Sequence, residues 1–179
     1  DIRSGLEITV LHSQADCPFL EDKSLYLALE LRPAAEELSI VAGEPQYALV
    51  EIPSGHSRFV WVPGEGDGRH VMFIDDVIRL NLAELFPDYT SGEAFEIKLT
   101  RDAELHLEDE FSGNLIERIR KGLRRRQTRA PCRFLYDYRA PLALIQFLKQ
   151  RFHLTDEDVV RGARYHNFSD FFHFPGFGR

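Results

Sequence analysis

The chain has 179 residues, 44% of them hydrophobic and 28% charged, and a formal net charge of −7. This length predicts one domain with its own core, and the composition is typical of a soluble globular protein. The sequence lacks the run of roughly 20 apolar residues that a membrane-spanning helix needs. The negative charge argues against the whole surface being a platform for nucleic acid or another polyanion.

The start of the chain and its two cysteines indicate its origin in a longer protein and its cellular compartment. The sequence opens on Asp1 with neither an initiator methionine nor a signal-like apolar segment. We therefore expect a single domain, residues 1–179, excised from a longer multidomain chain. Cys17 and Cys132 lie far apart and lack the spacing of a metal site, which is typical of proteins of the reducing cytoplasm.

Alternating apolar and polar side chains predict strands along much of the chain. The pattern is clearest at residues 23–31, where four leucines share one face. Residues 34–44 are acidic and fit either a loop or a weak helical turn. The predicted strands cover residues 5–11, 23–31, 47–52, 58–62, 70–74, 94–99 and 131–138.

The longest predicted helix directly follows the strand at 94–99. Asp102 is its expected N-cap, since a carboxylate can accept hydrogen bonds from the free amides of the first turn. Acidic residues crowd its beginning and basic residues its end, as the helix dipole favours. An apolar residue recurs every fourth position, so one face of the helix can lie on a sheet. These positions are Leu107, Phe111, Leu115, Ile119 and Leu123.

Three shorter helices complete the predicted elements. Asp75 and Asp76 are placed to cap a helix over residues 77–86. Pro141 occupies the first position of a helix that extends to residue 152. Residues 155–158 predict a short acidic turn of helix. Strands clustered first, then strands alternating with helices, predict an α+β domain with a largely antiparallel sheet and helices packed on one face.

The junction at residues 100–104 is the first candidate site. A junction between strand and helix exposes amide donors, and Arg101 offers a planar fork for an oxyanion or a carboxylate. The structural alternative is that Asp102 only caps the helix while Arg101 pairs with a neighbouring acid.

The basic run at residues 118–129 holds seven basic residues and no acid. Such a run could neutralise a polyanion through phosphate contacts. It contains no aromatic residues that would stack on bases, which disfavours nucleic acid as the ligand. The alternative is a solvated helix end.

The aromatic tail at residues 164–174 leaves three interpretations open. Arg164 and His166 could face a phosphate group. His166 could instead share a metal ion with Asp170 and His173, although no known metal frame is present. In the third interpretation the phenylalanines are core or interface anchors, and Asn167 or Ser169 caps a short helix. The phenylalanines are Phe168, Phe171, Phe172 and Phe174.

Two of these stretches, in this order and at this separation, resemble the head (middle) domain of the type 1 polyphosphate kinases. They are Thr100-Arg101-Asp102-Ala103-Glu104 and Arg164-Tyr165-His166-Asn167-Phe168, the latter followed by Asp170-Phe171. Weaker matches extend the resemblance over nearly the whole chain. The chain departs from the family pattern in its shortened proline-rich segment at residues 15–20, and in Ala163, where a glycine is common.

The resemblance implies a four-part parent enzyme that binds ATP and Mg²⁺. Such an enzyme reversibly transfers the terminal phosphate of ATP to inorganic polyphosphate through a phosphohistidine. In the family, the phosphorylated and assisting histidines and the main adenine contact belong to other domains. We therefore expect no catalytic residue, metal or cofactor in this chain, and His166 is not expected to be the phosphorylated residue.

The family's head domain mainly supports dimerisation and helps to wall the tunnel that holds nucleotide and polymer. The motifs carry this phosphate-side or interface role over to a small set of residues, and Arg101 and Arg164 are expected to form a positive wall for phosphate. The candidates are Arg101, Asp102, Glu104, Arg164, Tyr165, His166 and Asn167.

The resemblance also implies the partners. They are the other domains of the same kinase, a second subunit in a homodimer or higher homo-oligomer, and polyphosphate and ATP, without nucleic acid and without a membrane span. The expected location is the cytoplasm, and peripheral association with a membrane is compatible with it. The alternative function is a purely structural assembly or dimerisation module that contacts no ligand.

Overall fold

The computed structural model of the chain describes residues 5–11, 18–34, 46–64, 70–101 and 131–176, with only the backbone at positions 131 and 132. The predicted long helix, the basic run at 118–129 and the candidates Asp102 and Glu104 lie outside these residues, as does the acidic segment after residue 34. In the part of the chain that is described, no helix has the length and apolar character needed to cross a membrane.

Eight strands, three α-helices and one 3-10 helix make up the described fold. The strands are β1 (Ile8–Leu11), β2 (Leu25–Pro33), β3 (Gln46–Glu51), β4 (Phe59–Val62), β5 (His70–Phe73), β6 (Tyr89–Arg101), β7 (Pro131–Asp137) and β8 (Val159–Gly162). The helices are α1 (Ile74–Leu80), α2 (Leu82–Leu85) and α3 (Leu142–Arg151), and the 3-10 helix is Phe168–His173.

Six strands form one sheet in the order β1-β3-β2-β6-β7-β8, and β4 and β5 form a separate hairpin. All neighbours in the large sheet are antiparallel except β7 and β8, which run parallel. Helix α3 lies in the crossover between these two strands, as a parallel pair requires. The expected α+β class with a largely antiparallel sheet is confirmed.

The described helices lie on both faces of the sheet, not on one face as expected. In β2 the leucines at 25, 27, 29 and 31 pack with α1 and α2. Tyr26 and Ala28 point the other way and pack with Leu144 and Leu148 of α3. Because successive side chains of a strand point to opposite faces, a strand buried on both sides needs cover on both sides.

The predicted strands are all present within the described residues, with small shifts at most ends, but β6 begins at Tyr89 and not at residue 94. The sequence pattern missed β8, because residues 155–158 form a turn that leads into a strand of only four residues. The helix expected over 77–86 begins at Ile74 and is interrupted at Asn81. Asp75 and Asp76 therefore lie inside its first turn, and no side chain caps it.

Candidate functional site

Arg58, just before β4, lies at the centre of three carboxylates on the α1 face of the sheet. Its Nε donates to Oδ2 of Asp75 at 2.5 Å, and its Nη2 donates to Oδ1 at 2.6 Å. The same Nη2 lies 3.2 Å from both carboxylate oxygens of Glu96 on β6. Nη1 donates to Oδ2 of Asp170 at 2.9 Å. One guanidinium thus joins α1, β6 and the 3-10 helix, and we call these four residues the Arg58 cluster.

Two acids of the Arg58 cluster, Asp75 and Glu96, are completely buried. Burial raises the pKa of Glu96, and the neighbouring charge of Asp75 raises it further, to about 8, against the opposing effects of Arg58 and of a backbone hydrogen bond. The physical reason is that one guanidinium cannot offset two desolvated carboxylates. The pair therefore holds a proton at neutral pH.

Asp76 is the second anchor of the C-terminal segment. Its Oδ2 accepts a hydrogen bond from the Tyr165 hydroxyl at 2.6 Å. Its Oδ1 accepts from Arg164 at 3.0 Å and from Arg79 at 2.8 Å. Burial opposes ionisation of this carboxyl, but the hydrogen bonds from these three side chains outweigh it and hold the pKa of Asp76 below its usual value. The Tyr165 ring also stacks on Phe73, with 4.5 Å between centroids.

His166 is attached through its backbone, not through its ring. Its N–H donates to Oε1 of Glu96 at 2.9 Å. The ring is buried, with Nδ1 3.7 Å from the same oxygen, and burial lowers the pKa of His166 to about 4. A Cβ on Gly162 would lie 2.9 Å from Nε2 of His166, so the ring needs a glycine beside it. The imidazole is therefore neutral at neutral pH and enclosed by protein.

Asn167 completes the series of contacts. It is the N-cap residue of the 3-10 helix that follows and has a left-handed backbone, with φ of 61°, but its side chain makes no capping hydrogen bond. Its Oδ1 instead accepts a hydrogen bond from Nζ of Lys98 on β6. The motif at residues 164–167 and Asp170 are thus each bonded to α1, β6 or Arg58.

Arg101 lies at the opposite end of β6. Its N–H donates to Oδ1 of Asp22 at 2.8 Å, and its guanidinium lies over the Phe19 ring, 4.7 Å from the centroid. The Arg164 end of the strand is marked by Ala94, whose carbonyl oxygen accepts from Arg79. Seven residues of extended strand span roughly 23 Å. The structure therefore brings four of the seven candidates together along β6 and places Arg101 far from Arg164, although Asn167 reaches Lys98, three residues before Arg101.

The phenylalanines of the tail are largely exposed, so a role in the core is wrong for most of this set. Phe168 is 71% exposed and Phe172 is 90% exposed. Phe171 and Phe174 contact the Phe59 ring, with centroids 5.3 and 4.9 Å away, but both remain partly exposed. Within the described residues, no three His, Cys, Asp or Glu side chains converge to hold a metal ion.

Sequence reasoning missed Arg58, Glu96 and Lys98. The available signal was an acid inside a strand whose neighbours Phe95 and Ile97 are both apolar. An acid in a central strand that is buried on both faces needs a partner of opposite charge. That partner, Arg58, lies 38 positions away, so local pattern could not identify it.

Comparisons with known proteins identify the family that this chain resembles in sequence and in fold. A family model described as the polyphosphate kinase middle domain matches residues 1–174. Polyphosphate kinases from Vibrio parahaemolyticus and Escherichia coli K12 are 39% identical over 168 residues and 37% identical over 169 residues. Each alignment covers 90% of this chain and 23% of the relative. The crystal structure of polyphosphate kinase from Porphyromonas gingivalis superposes with a TM-score of 0.74 and 25% identity, over 99% of this chain and 24% of that one. The chain spans about a quarter of the proteins it matches.

Removing the central guanidinium should destabilise the fold. Arg58→Ala leaves Asp75 and Glu96 buried without a cation, and breaking a buried ion pair costs about 3–5 kcal/mol. We expect a loss of that size in the free energy of unfolding, measured by urea denaturation at pH 7. The matched control is Arg32→Ala, which removes an arginine that is 75% exposed and paired with Glu30. The control should change stability by less than about 0.5 kcal/mol. Equal stability of the two variants would contradict the anchoring role of Arg58.

The raised pKa of Glu96 predicts a pH dependence. The native state holds this proton more tightly than the unfolded state between the ordinary pKa of 4.5 and about 8. Stability should therefore fall as pH rises through that window. His166 gives the opposite trend, but only between about 4 and 6.5, because its pKa is lowered. Glu96→Gln keeps the shape of the protonated acid and should remove the fall between pH 6.5 and 8.

Urea denaturation at pH 6.5, 7, 7.5 and 8 measures this effect. Glu93→Gln is the matched control, since it removes a half-exposed carboxylate on the same strand. The idea fails if Glu96→Gln leaves the slope of stability against pH as it is in the unmodified chain.

Proposed function

Because the chain belongs to the polyphosphate kinase middle-domain family, we propose that it is the non-catalytic head domain of a polyphosphate kinase. The parent enzyme would reversibly transfer the terminal phosphate of ATP to inorganic polyphosphate through a phosphohistidine, with ATP and Mg²⁺ bound by its other domains. In this proposal the head domain contributes structure, a subunit contact and part of the wall of the substrate tunnel.

One observation carries the proposal: the most distinctive motif of the chain is bonded internally. Arg164 and Tyr165 bind Asp76, the His166 N–H binds Glu96, and Asn167 binds Lys98. A catalytic motif would present reactive atoms to a substrate. These residues instead fix the C-terminal segment to the sheet, and in a kinase of the relatives' length they would set the direction in which the chain continues.

The environment of His166 supports a non-catalytic role. A phosphohistidine needs a ring nitrogen that an incoming phosphoryl group can reach. The ring of His166 is enclosed between Gly162 and Glu96 and is buried from solvent. The phosphorylated histidine is therefore expected in another domain of the parent enzyme.

The tunnel-wall role rests on the exposed side of the motif. The Arg164 side chain is 39% exposed although it is paired with Asp76. A guanidinium has five donors, so one ion pair leaves others available to an oxyanion. Arg101, at the other end of β6, would contribute at a separate place, and the two arginines would not form one continuous wall.

An assembly module without ligand contact is the second candidate function. The observation in its favour is the run of exposed aromatic side chains on the 3-10 helix and just after it. Exposed apolar patches of this kind mark interfaces between proteins, and aromatic residues carry much of the binding energy there. The exposed side chains are Phe168, Phe171, Phe172 and Phe174.

Replacing His166 tests the non-catalytic assignment. In the kinase that carries this domain, His166→Gln should still form the phosphoenzyme from labelled ATP, since another histidine receives the phosphate. The control is the thermal unfolding temperature of the same variant, which separates misfolding from chemistry. The isolated chain with ATP and Mg²⁺ should gain no label. A correctly folded His166→Gln kinase without phosphoenzyme would falsify the assignment.

The subunit contact is tested by sedimentation velocity over a range of protein concentrations. Phe172→Ser removes a side chain that is 90% exposed and should weaken self-association of the chain about tenfold, which corresponds to about 1.4 kcal/mol. Leu142→Ser on α3 is the control, because this leucine is comparably exposed but lies away from the tail. Identical sedimentation of both variants and the unmodified chain would remove the aromatic tail from the interface.

A further inference from the structure

A cleft of about 750 Å³ opens beside the Arg58 cluster. It lies between the start of β2, the turn at residues 53–57 and the 3-10 helix, and its volume is typical of a ligand site. Hydroxyl, imidazole and ammonium groups dominate its polar lining. The side chains that matter here are Ser24, Ser54, Ser57, His56, His173 and Lys23.

The basic groups at this cleft differ from those elsewhere in the described chain. Arginines such as Arg58, Arg79 and Arg139 are all paired with acids. Within the described residues, Lys23 and the two histidines of the cleft have no acidic partner, although the whole chain carries an excess of acids, with 29 against 22 basic residues. An ammonium group and two imidazoles without acidic partners, gathered at one cleft, indicate an external anion.

Lys98 adds a second ammonium group near the same cleft. Its hydrogen-bond partner is the neutral amide of Asn167, a residue of the cleft wall. Burial lowers the pKa of Lys98 and the charge of Lys23 adds to that effect, while the carboxylates of Asp170, Asp22 and Glu96 act in the opposite direction. A bound anion would offset the mutual repulsion of these two ammonium groups.

The two carboxylates of the cleft, those of Asp22 and Asp170, already accept hydrogen bonds from other parts of the protein. Oδ2 of Asp170 accepts from Arg58 at 2.9 Å. Oδ1 of Asp22 accepts from the backbone N–H of Arg101 at 2.8 Å. Their charges are partly offset by these donors, so they oppose an anion less than free carboxylates would.

The backbone at Lys23 is the third observation. Its φ is 67°, a left-handed conformation that is unfavourable for a side chain of this size. The Lys23 N–H is held there by a hydrogen bond to the Leu99 carbonyl at 3.0 Å. Such strain concentrates at binding sites, and here it places a lysine at the mouth of the cleft.

We propose that this cleft binds a chain of phosphoryl groups, with Lys23 and Lys98 offsetting its charge and with the serine hydroxyls and the two imidazoles donating hydrogen bonds to its oxygens. The anionic class of the ligand rests on the cleft alone, whereas the phosphoryl chain rests on the proposed function. Linear polyphosphate and the triphosphate of a nucleotide share this chemistry.

Isothermal titration calorimetry of the chain with sodium tripolyphosphate at low salt tests the site. Lys23→Gln should weaken binding about three- to tenfold, because it removes one charge-assisted contact and keeps a long side chain at the same backbone position. Lys149→Gln is the matched control, since it removes one positive charge from the surface of α3, where Lys149 pairs with Asp156. His173 lies on the 3-10 helix at the other side of the cleft, and His173→Gln should also weaken binding. This variant tests the site independently if Lys23→Gln does not fold.

Separate titrations with ATP and with sodium sulfate identify the ligand. Stronger binding of tripolyphosphate than of ATP assigns the cleft to polyphosphate, and equal binding assigns it to the shared phosphoryl chain. Sulfate binding as tight as tripolyphosphate binding would overturn the phosphoryl-chain proposal. Absent binding, or equal weakening by the Lys23 and Lys149 variants, would overturn the site itself. The proposed function would survive that result, because it depends on the phosphoenzyme measurement with His166→Gln.

Discussion

The contact between the Arg58 guanidinium and the carboxylates of Asp75, Glu96 and Asp170 constrains the rest of this structure. Two of these acids are completely buried, so their desolvation is offset only while the arginine stays in place. The three acids come from α1, β6 and the 3-10 helix, and the arginine precedes β4. Apolar packing alone tolerates small shifts between such elements, whereas an ion cluster of this geometry does not. The cluster therefore selects one arrangement of hairpin, sheet and tail.

The C-terminal segment shows why a polar attachment is needed. No residue of the 3-10 helix is fully buried, and its apolar contacts come from partly exposed rings such as Phe171 against Phe59, so the hydrophobic effect alone holds this segment weakly. Its position depends on directional bonds to Asp76, Glu96, Lys98 and Arg58. Hydrogen bonds and ion pairs lose strength rapidly when their geometry is wrong. They suit a segment that must be held in one orientation while its aromatic side chains remain outside.

Local sequence pattern predicted the elements far better than it predicted their contacts. The alternation of β2 and the proline at the start of α3 are properties of a few consecutive residues, and both elements lie close to their predicted bounds. The alternation in β2 predicts burial of the leucine face only, because Tyr26 and Ala28 between the leucines carry no clear signal of burial. Strand β8 and the pairing of Arg58 with Glu96 depend on residues far apart in the chain, which periodicity cannot connect. The motif resemblance found Arg164 to Asn167, but not the partners that hold them.

The Arg58 cluster and the cleft beside it depend on each other. Asp170 belongs to both: its bond to Arg58 holds the 3-10 helix, and the same bond offsets the acid's charge at the cleft wall. Asn167 is shared in the same way, since it anchors the tail and binds Lys98. If the tail moved away, Asp170 would lose its cation and the wall carrying His173 would go with it. An anion held between Lys23 and this wall would therefore favour the attached tail, because ligands stabilise the conformation that binds them. Anion binding and the placement of the tail would thus be linked through the charges of these few side chains.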